Sequence, residues 1–101
     1  MNNTTQFLID VFFAQLSKTK NNKQPCVVFD IDGTIINDGI GAPKNNNDII
    51  LNVYNFLLYL QSIKIPVFIV TARQDTLSNF SYTHNMLISL KIKYKRLYLW
   101  D

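Results

Sequence analysis

Residues 26–39 read "CVVFDIDGTIINDG". A short apolar run rich in β-branched residues meets Asp30, Asp32, Gly33 and Thr34. A run of this length without polar alternation suits a strand covered on both faces, as in a parallel sheet. Residues two apart along a strand share a side, so Asp30 and Asp32 are expected to project into one crevice at its end. Two such carboxylates repel unless a cation or a proton separates them. Mg²⁺ suits the task, because it takes one or two carboxylates and completes its shell with phosphate oxygens and water. Gly33 lets the chain turn and brings backbone N–H groups close to an anion. Thr34 can hydrogen-bond that turn.

The rest of the chain decides what this strand belongs to. Residues 4–18, "TTQFLIDVFFAQLSK", read as a helix capped by Thr4 or Thr5, with Phe7, Leu8, Val11, Phe12 and Leu16 on an apolar stripe. A polar linker, 19–25, separates it from the strand. Residues 37–47 form a Gly/Pro/Asn loop, and 48–63 carry apolar residues at helical spacing. "IPVFIVT", 65–71, is a second buried strand. Residues 76–91 read as a helix with Leu77, Phe80, Leu87 and Leu90 on one side, and "RLYLWD", 96–101, as a third strand. Helix followed by β-α-β-α-β predicts an α/β fold: a parallel three-stranded sheet joined by right-handed crossovers, with a helix in front. Strand 26–31 should pair with 65–71, and 96–100 should lie on the far side of the latter. Ligands of open α/β sheets sit beyond the carboxyl ends of the strands, where Asp30, Thr71 and Asp101 fall. The second strand ends in Thr71, Ala72 and Arg73, a hydroxyl, a small residue and a cation beside a helix entry, which suits phosphate.

The composition is compatible with this reading. The 101 residues suffice for one small domain, and 48% hydrophobic residues favour a packed core over disorder. A net charge of +3 says little about partners, and the only basic cluster is Lys91, Lys93, Lys95 and Arg96. All seven acids are Asp. The single Cys26 excludes an internal disulfide and points to a reducing, cytoplasmic setting. No secretory signal or membrane-length apolar run is evident.

At the motifs themselves a resemblance emerges. "VVFDIDGTI" resembles the first motif of the haloacid dehalogenase (HAD) superfamily, and "VFIVTAR" resembles its second. "TARQDTLSNFSYTHNML" followed by "LYLW" looks most like the acid-phosphatase branch and the phage kinase–phosphatase domains, in which residues like Thr83 and Leu87 recur. The likeness covers residues 26–100. It implies a partial Rossmann-like, HAD-type three-layer sandwich and a Mg²⁺-dependent phosphomonoester hydrolase. Asp30 would be the nucleophile that forms an aspartyl-phosphate, and Asp32 the acid and base. Asp30 and the backbone carbonyl of Asp32 would hold Mg²⁺, and Gly33, Thr34, Thr71, Ala72 and Arg73 would bind phosphate.

The sequence also departs from that pattern. Lys91 stands where the branch often has a helix-ending glycine. The third-motif lysine and fourth-motif acids have no counterpart in their usual place after the third strand. Residues 1–101 are therefore expected to be a single truncated HAD-like domain, with helix 1–20 and core 26–101, weak or inactive alone. The alternative is a phosphate-binding or assembly module. In the family a fourth strand pairs beside the first, so strand 26–31 should have an open edge, ready for a second copy or a complementing chain. The short loop 35–47 leaves the site open on that side, which suits a bulky substrate such as a phosphorylated nucleic-acid end or a protein, with a small phosphorylated molecule as the alternative.

Other residues have plainer expectations. Asp75 should cap a helix and Asp38 lie in a loop. Asp101 is either a substitute metal ligand or a loose terminus. Cys26 should be core, His84 a partly buried helix residue, and Trp100 a packing residue unless the chain's end leaves it exposed. Lys91 to Arg96 form a solvated turn or a surface for a nucleic-acid backbone.

Overall fold

The computed structural model of the chain describes residues 3–18, 24–37 and 49–101. Its elements are α1 (Asn3–Ser17), β1 (Val27–Phe29), α2 (Leu51–Ser62), β2 (Val67–Gln74), α3 (Leu77–Ser89) and β3 (Arg96–Trp100). The three strands form one sheet in the order β1-β2-β3, and both pairings are parallel. The expected α/β alternation and strand order therefore hold. Val27–Phe29 pair with Val67–Ile69, and Phe68–Val70 pair with Arg96–Tyr98. The loop expected over 37–47, with Asp38 in it, lies outside the described residues except for Asn37. No described helix is long and apolar enough to cross a membrane.

A right-handed crossover repeated in one direction along a sheet puts its helices on the same face. The core reflects this. Phe29 of β1 and Val67 and Ile69 of β2 are buried together with Leu57 and Leu60 of α2 and Met86 and Leu87 of α3. Phe56 makes edge-on ring contacts with Phe12 of α1 and Phe29 of β1, which ties the first helix to this layer. The described residues thus supply two layers, helices over one sheet face.

The helix ends show why the boundaries fall where they do. Thr76 precedes α3 in an extended conformation, and its hydroxyl accepts the Asn79 amide at 3.0 Å. Asp75 is therefore not the cap; its backbone N–H donates to the Trp100 carbonyl at 2.6 Å. Thr5 is not a cap either. It lies inside α1, fully buried, with its hydroxyl 3.3 Å from Asn52 Oδ1 of α2. Just beyond α2 and α3 stand Lys64 and Lys91, with φ of 69° and 62°. This is the left-handed conformation in which helices often terminate, and lysine holds it at a cost that glycine avoids.

Two expectations about burial need correction, those for Cys26 and α3, and the choice left open for Trp100 is decided. Cys26 is exposed, because it precedes the three paired residues of β1 and does not enter the core. Trp100 is 69% exposed, since among the described residues no helix lies over its side of β3. On α3, Leu77 and Phe80 face outward, and the buried residues are Thr83, Met86 and Leu87. The helix is rotated so that a threonine, not the first leucine, meets the core.

Candidate active site

β1 ends at Phe29, one residue before the first aspartate. The alternation expected to place both carboxylates in one crevice therefore does not extend to them, and each has its own setting. Asp30 is exposed, and its Oδ1 accepts the Ile31 amide at 2.8 Å. Next comes a tight turn. The amides of Thr34, Ile35 and Ile36 all reach the Ile31 carbonyl, at 3.1, 2.8 and 3.1 Å, and the Gly33 amide donates to the Ile36 carbonyl at 2.8 Å. Ile31, Ile35 and Ile36 are buried. Apolar burial on both sides pins the turn and leaves Asp32, Gly33 and Thr34 as its accessible arc. Gly33 has φ +82°, a conformation that L side chains resist.

The second motif enters through an irregularity. Between the pairs Val70–Tyr98 and Gln74–Trp100 the register shifts. Three residues of β2, Thr71, Ala72 and Arg73, face one of β3, Leu99. Bulges of this kind re-aim side chains and recur beside functional sites. Here Thr71 is buried and its hydroxyl accepts the Arg73 amide at 3.2 Å. Ala72 is exposed.

Arg73 turns inward. Its guanidinium grips Asp32 as a fork, Nε to Oδ2 at 3.1 Å and Nη2 to Oδ1 at 2.8 Å. Its remaining nitrogen, Nη1, donates to the Thr83 hydroxyl at 3.0 Å. The Arg73 side chain is only 13% exposed and that of Asp32 25%. A planar fork on a carboxylate is among the strongest side-chain pairings, and partial burial shields it from salt. The pair spans 41 positions in sequence, from the turn after β1 to the bulge of β2.

Of the residues singled out in the sequence, Asp32, Thr71 and Arg73 are therefore gathered at the carboxyl ends of β1 and β2, with Asp30 beside them. The Gly33 and Thr34 amides donate within the turn. Asp101 is exposed at the end of β3. Among the described residues, no three His, Cys, Asp or Glu side chains cluster where they could hold a metal ion. The residue that sequence reading undervalued is Thr83, a polar side chain on the buried stripe of α3. That anomaly was its signal, since a buried hydroxyl requires a partner. His84, as expected, is a partly buried helix residue; its Nδ1 shares a hydrogen bond with the Tyr94 hydroxyl. Burial raises the Tyr94 phenol above its ordinary pKa.

In comparisons with family models, curated proteins and solved structures, the chain finds no match.

Proposed function

We propose that the chain is a phosphomonoester-processing domain of the HAD type, with its site at the carboxyl ends of β1 and β2. The observation that supports this reading is the Asp32–Arg73 fork, which brings the two resembling motifs into contact. In this reading an Asp30 carboxylate oxygen attacks phosphorus and the ester P–O bond breaks. The leaving oxygen takes a proton from the Asp32 carboxyl, which must release one arm of the Arg73 fork and pick up a proton from water in order to carry it. Water then gives its proton to Asp32 and attacks the aspartyl-phosphate, releasing inorganic phosphate and restoring Asp30. Asp30 is exposed, as a nucleophile that must meet a substrate has to be. Arg73 holds Asp32 in place and puts a fixed positive charge beside the transferred oxygens, with Thr71 close by.

Mg²⁺ would be held by the Asp30 carboxylate, the Asp32 carbonyl, phosphate and water, and would neutralise charge on the phosphoryl group. The donor set fits such an open, substrate-completed site better than a closed one, because the Asp32 carboxylate is engaged by Arg73. Turnover should accordingly be slow. The exposed arc suits a small phosphate ester, a nucleic-acid end or a phosphoprotein.

The engagement of Asp32 and of the turn amides favours one second reading, a module that binds phosphate without hydrolysing it. One experiment separates the two. Hydrolysis of an aryl phosphate is followed with Mg²⁺, with EDTA and in Asp30→Asn, and binding of orthovanadate is measured in parallel. Slow turnover lost in both controls supports the hydrolase. Vanadate binding without turnover supports the binding module. Turnover that survives Asp30→Asn removes the nucleophile assignment.

A further inference from the structure

The two faces of the sheet differ. Phe29, Val67 and Ile69 are buried under the helices. The opposite face presents Val28 of β1, 59% exposed, Val70 of β2, 44%, and Tyr98 and Trp100 of β3, 49% and 69%. Phe68 lies between Val28 and Arg96 in the same register row, half-buried. Parallel sheets occur almost only with both faces covered. A contiguous apolar surface on adjacent strands is the kind of patch that marks an interaction site.

The charges around the patch indicate what covers it. At the strand starts lie Lys95 and Arg96, and at the strand ends lie Asp75 and Asp101, all exposed. Such a surface is complementary to itself turned end for end. A two-fold axis parallel to the sheet, midway between the two layers and perpendicular to the strands, stacks β3 of one copy on β3 of the other in the opposite direction. Tyr98 then meets Tyr98 near the axis, and Arg96 of each copy comes over Trp100 and Asp101 of the other. That arrangement offers a cation–π contact and an opposite charge at once. Val70 of β2, level with Tyr98, meets its counterpart in the same way. We infer that this face is a homodimer interface, formed by antiparallel face-to-face packing of two sheets. The spacing of such layers is about 10 Å.

The patch is small. Two half-exposed aromatic rings and their aliphatic neighbours offer about 400 Å² per copy, or about 800 Å² in all. That lies at the weak end of specific interfaces, so the dimer should form at tens of micromolar. It is distinct from pairing at the open edge of β1, because Tyr98 and Trp100 sit on the strand farthest from that edge.

The test is sedimentation of the 101-residue chain from about 1 to about 200 µM, a range set by the expected weak affinity. The mass should rise from one chain towards two, and high salt should oppose the rise. Tyr98→Lys and Val70→Lys, each checked for unchanged circular dichroism, should remain monomeric throughout. Arg96→Asp should weaken association by about tenfold or more, and Arg96→Asp combined with Asp101→Arg should restore it. A readout without substitutions comes from Cys26, which is exposed and lines a shallow cavity with Phe68 and Lys95. Its reaction with a thiol reagent should slow as the mass rises. The inference is overturned by a chain that stays monomeric at the top concentration, by a dimer that persists in both lysine variants, or by Cys26 reactivity that ignores concentration. Persistence in the lysine variants points instead to the β1 edge.

Discussion

Replacing Arg73 with methionine tests the site at its tightest point. Methionine keeps much of the buried stem and removes the guanidinium, so the loss reports the fork more than the packing. Breaking a fully buried ion pair by deleting one partner costs about 3–5 kcal/mol, because the other charge is left uncompensated. Asp32 is 25% exposed, so water recovers part of that cost, and about 2 kcal/mol is the better figure. The Thr83 hydroxyl, fully buried, loses its guanidinium donor as well, which adds about 1 kcal/mol. The sum, about 3 kcal/mol, is a large share of the roughly 5–15 kcal/mol that holds a domain of this size together. At about 4–8 °C per kcal/mol, the melting temperature should fall by roughly 10–25 °C. Urea unfolding followed by far-ultraviolet circular dichroism measures the loss directly. A double-mutant cycle with Asp32→Asn should give a coupling of about 1–2 kcal/mol, little changed by high salt. A loss under about 0.5 kcal/mol with no coupling would refute the reasoning, since it is what an arginine lying out in solvent would give.

Four further outcomes follow from the same geometry. Lys91→Gly and Lys64→Gly should each raise the urea midpoint, by up to about 1 kcal/mol of stability, because both lysines hold a positive φ. Gly33→Ala should lower it by about 1 kcal/mol; its Cβ would meet no neighbouring atom, so a larger loss would mean that the turn is held by more than its backbone. The Tyr94 phenol is raised by burial, so its stabilising contribution is present below the ordinary tyrosine value of about 10 and is lost as pH rises through its higher folded value. Tyr94→Phe should therefore flatten the alkaline decline of the melting temperature above about pH 10, and an unchanged profile would count against that burial. Calorimetry should find only weak Mg²⁺ binding, in the millimolar range or about there, to the chain without phosphate. Tight binding abolished by Asp101→Asn would show that the third strand's end had been recruited.

The alternation of elements was legible because it rests on local pattern. "VVF", "VFIV" and "LYLW" are short runs rich in β-branched and aromatic residues that favour strands, and strands alternating with helical patterns leave few topologies. Side-chain direction was less legible, because it depends on partners distant in sequence. α3 has apolar residues on more than one side, so periodicity alone could not choose between Leu77 and Met86; docking against β2 decided it. Cys26 reads as core from composition, yet the pairing of β1 begins one residue later. Arg73 reads equally well as a surface residue until the bulge of β2 and the buried hydroxyl of Thr83 are placed beside it.

The two aspartates illustrate the difference most sharply. A strand running through both would have aimed them at one point, and their mutual repulsion would then have required an ion between them. The strand instead stops at Phe29, and the buried isoleucines at 31, 35 and 36 fold the next residues into a turn. Asp30 is left exposed at the tip of the strand, while Asp32 is drawn to Arg73. Repulsion is relieved by the protein's own cation on one carboxylate and by solvent on the other. The pair is thus divided into a held member and an accessible one, which is the division that the proposed proton carrier and the proposed nucleophile would need.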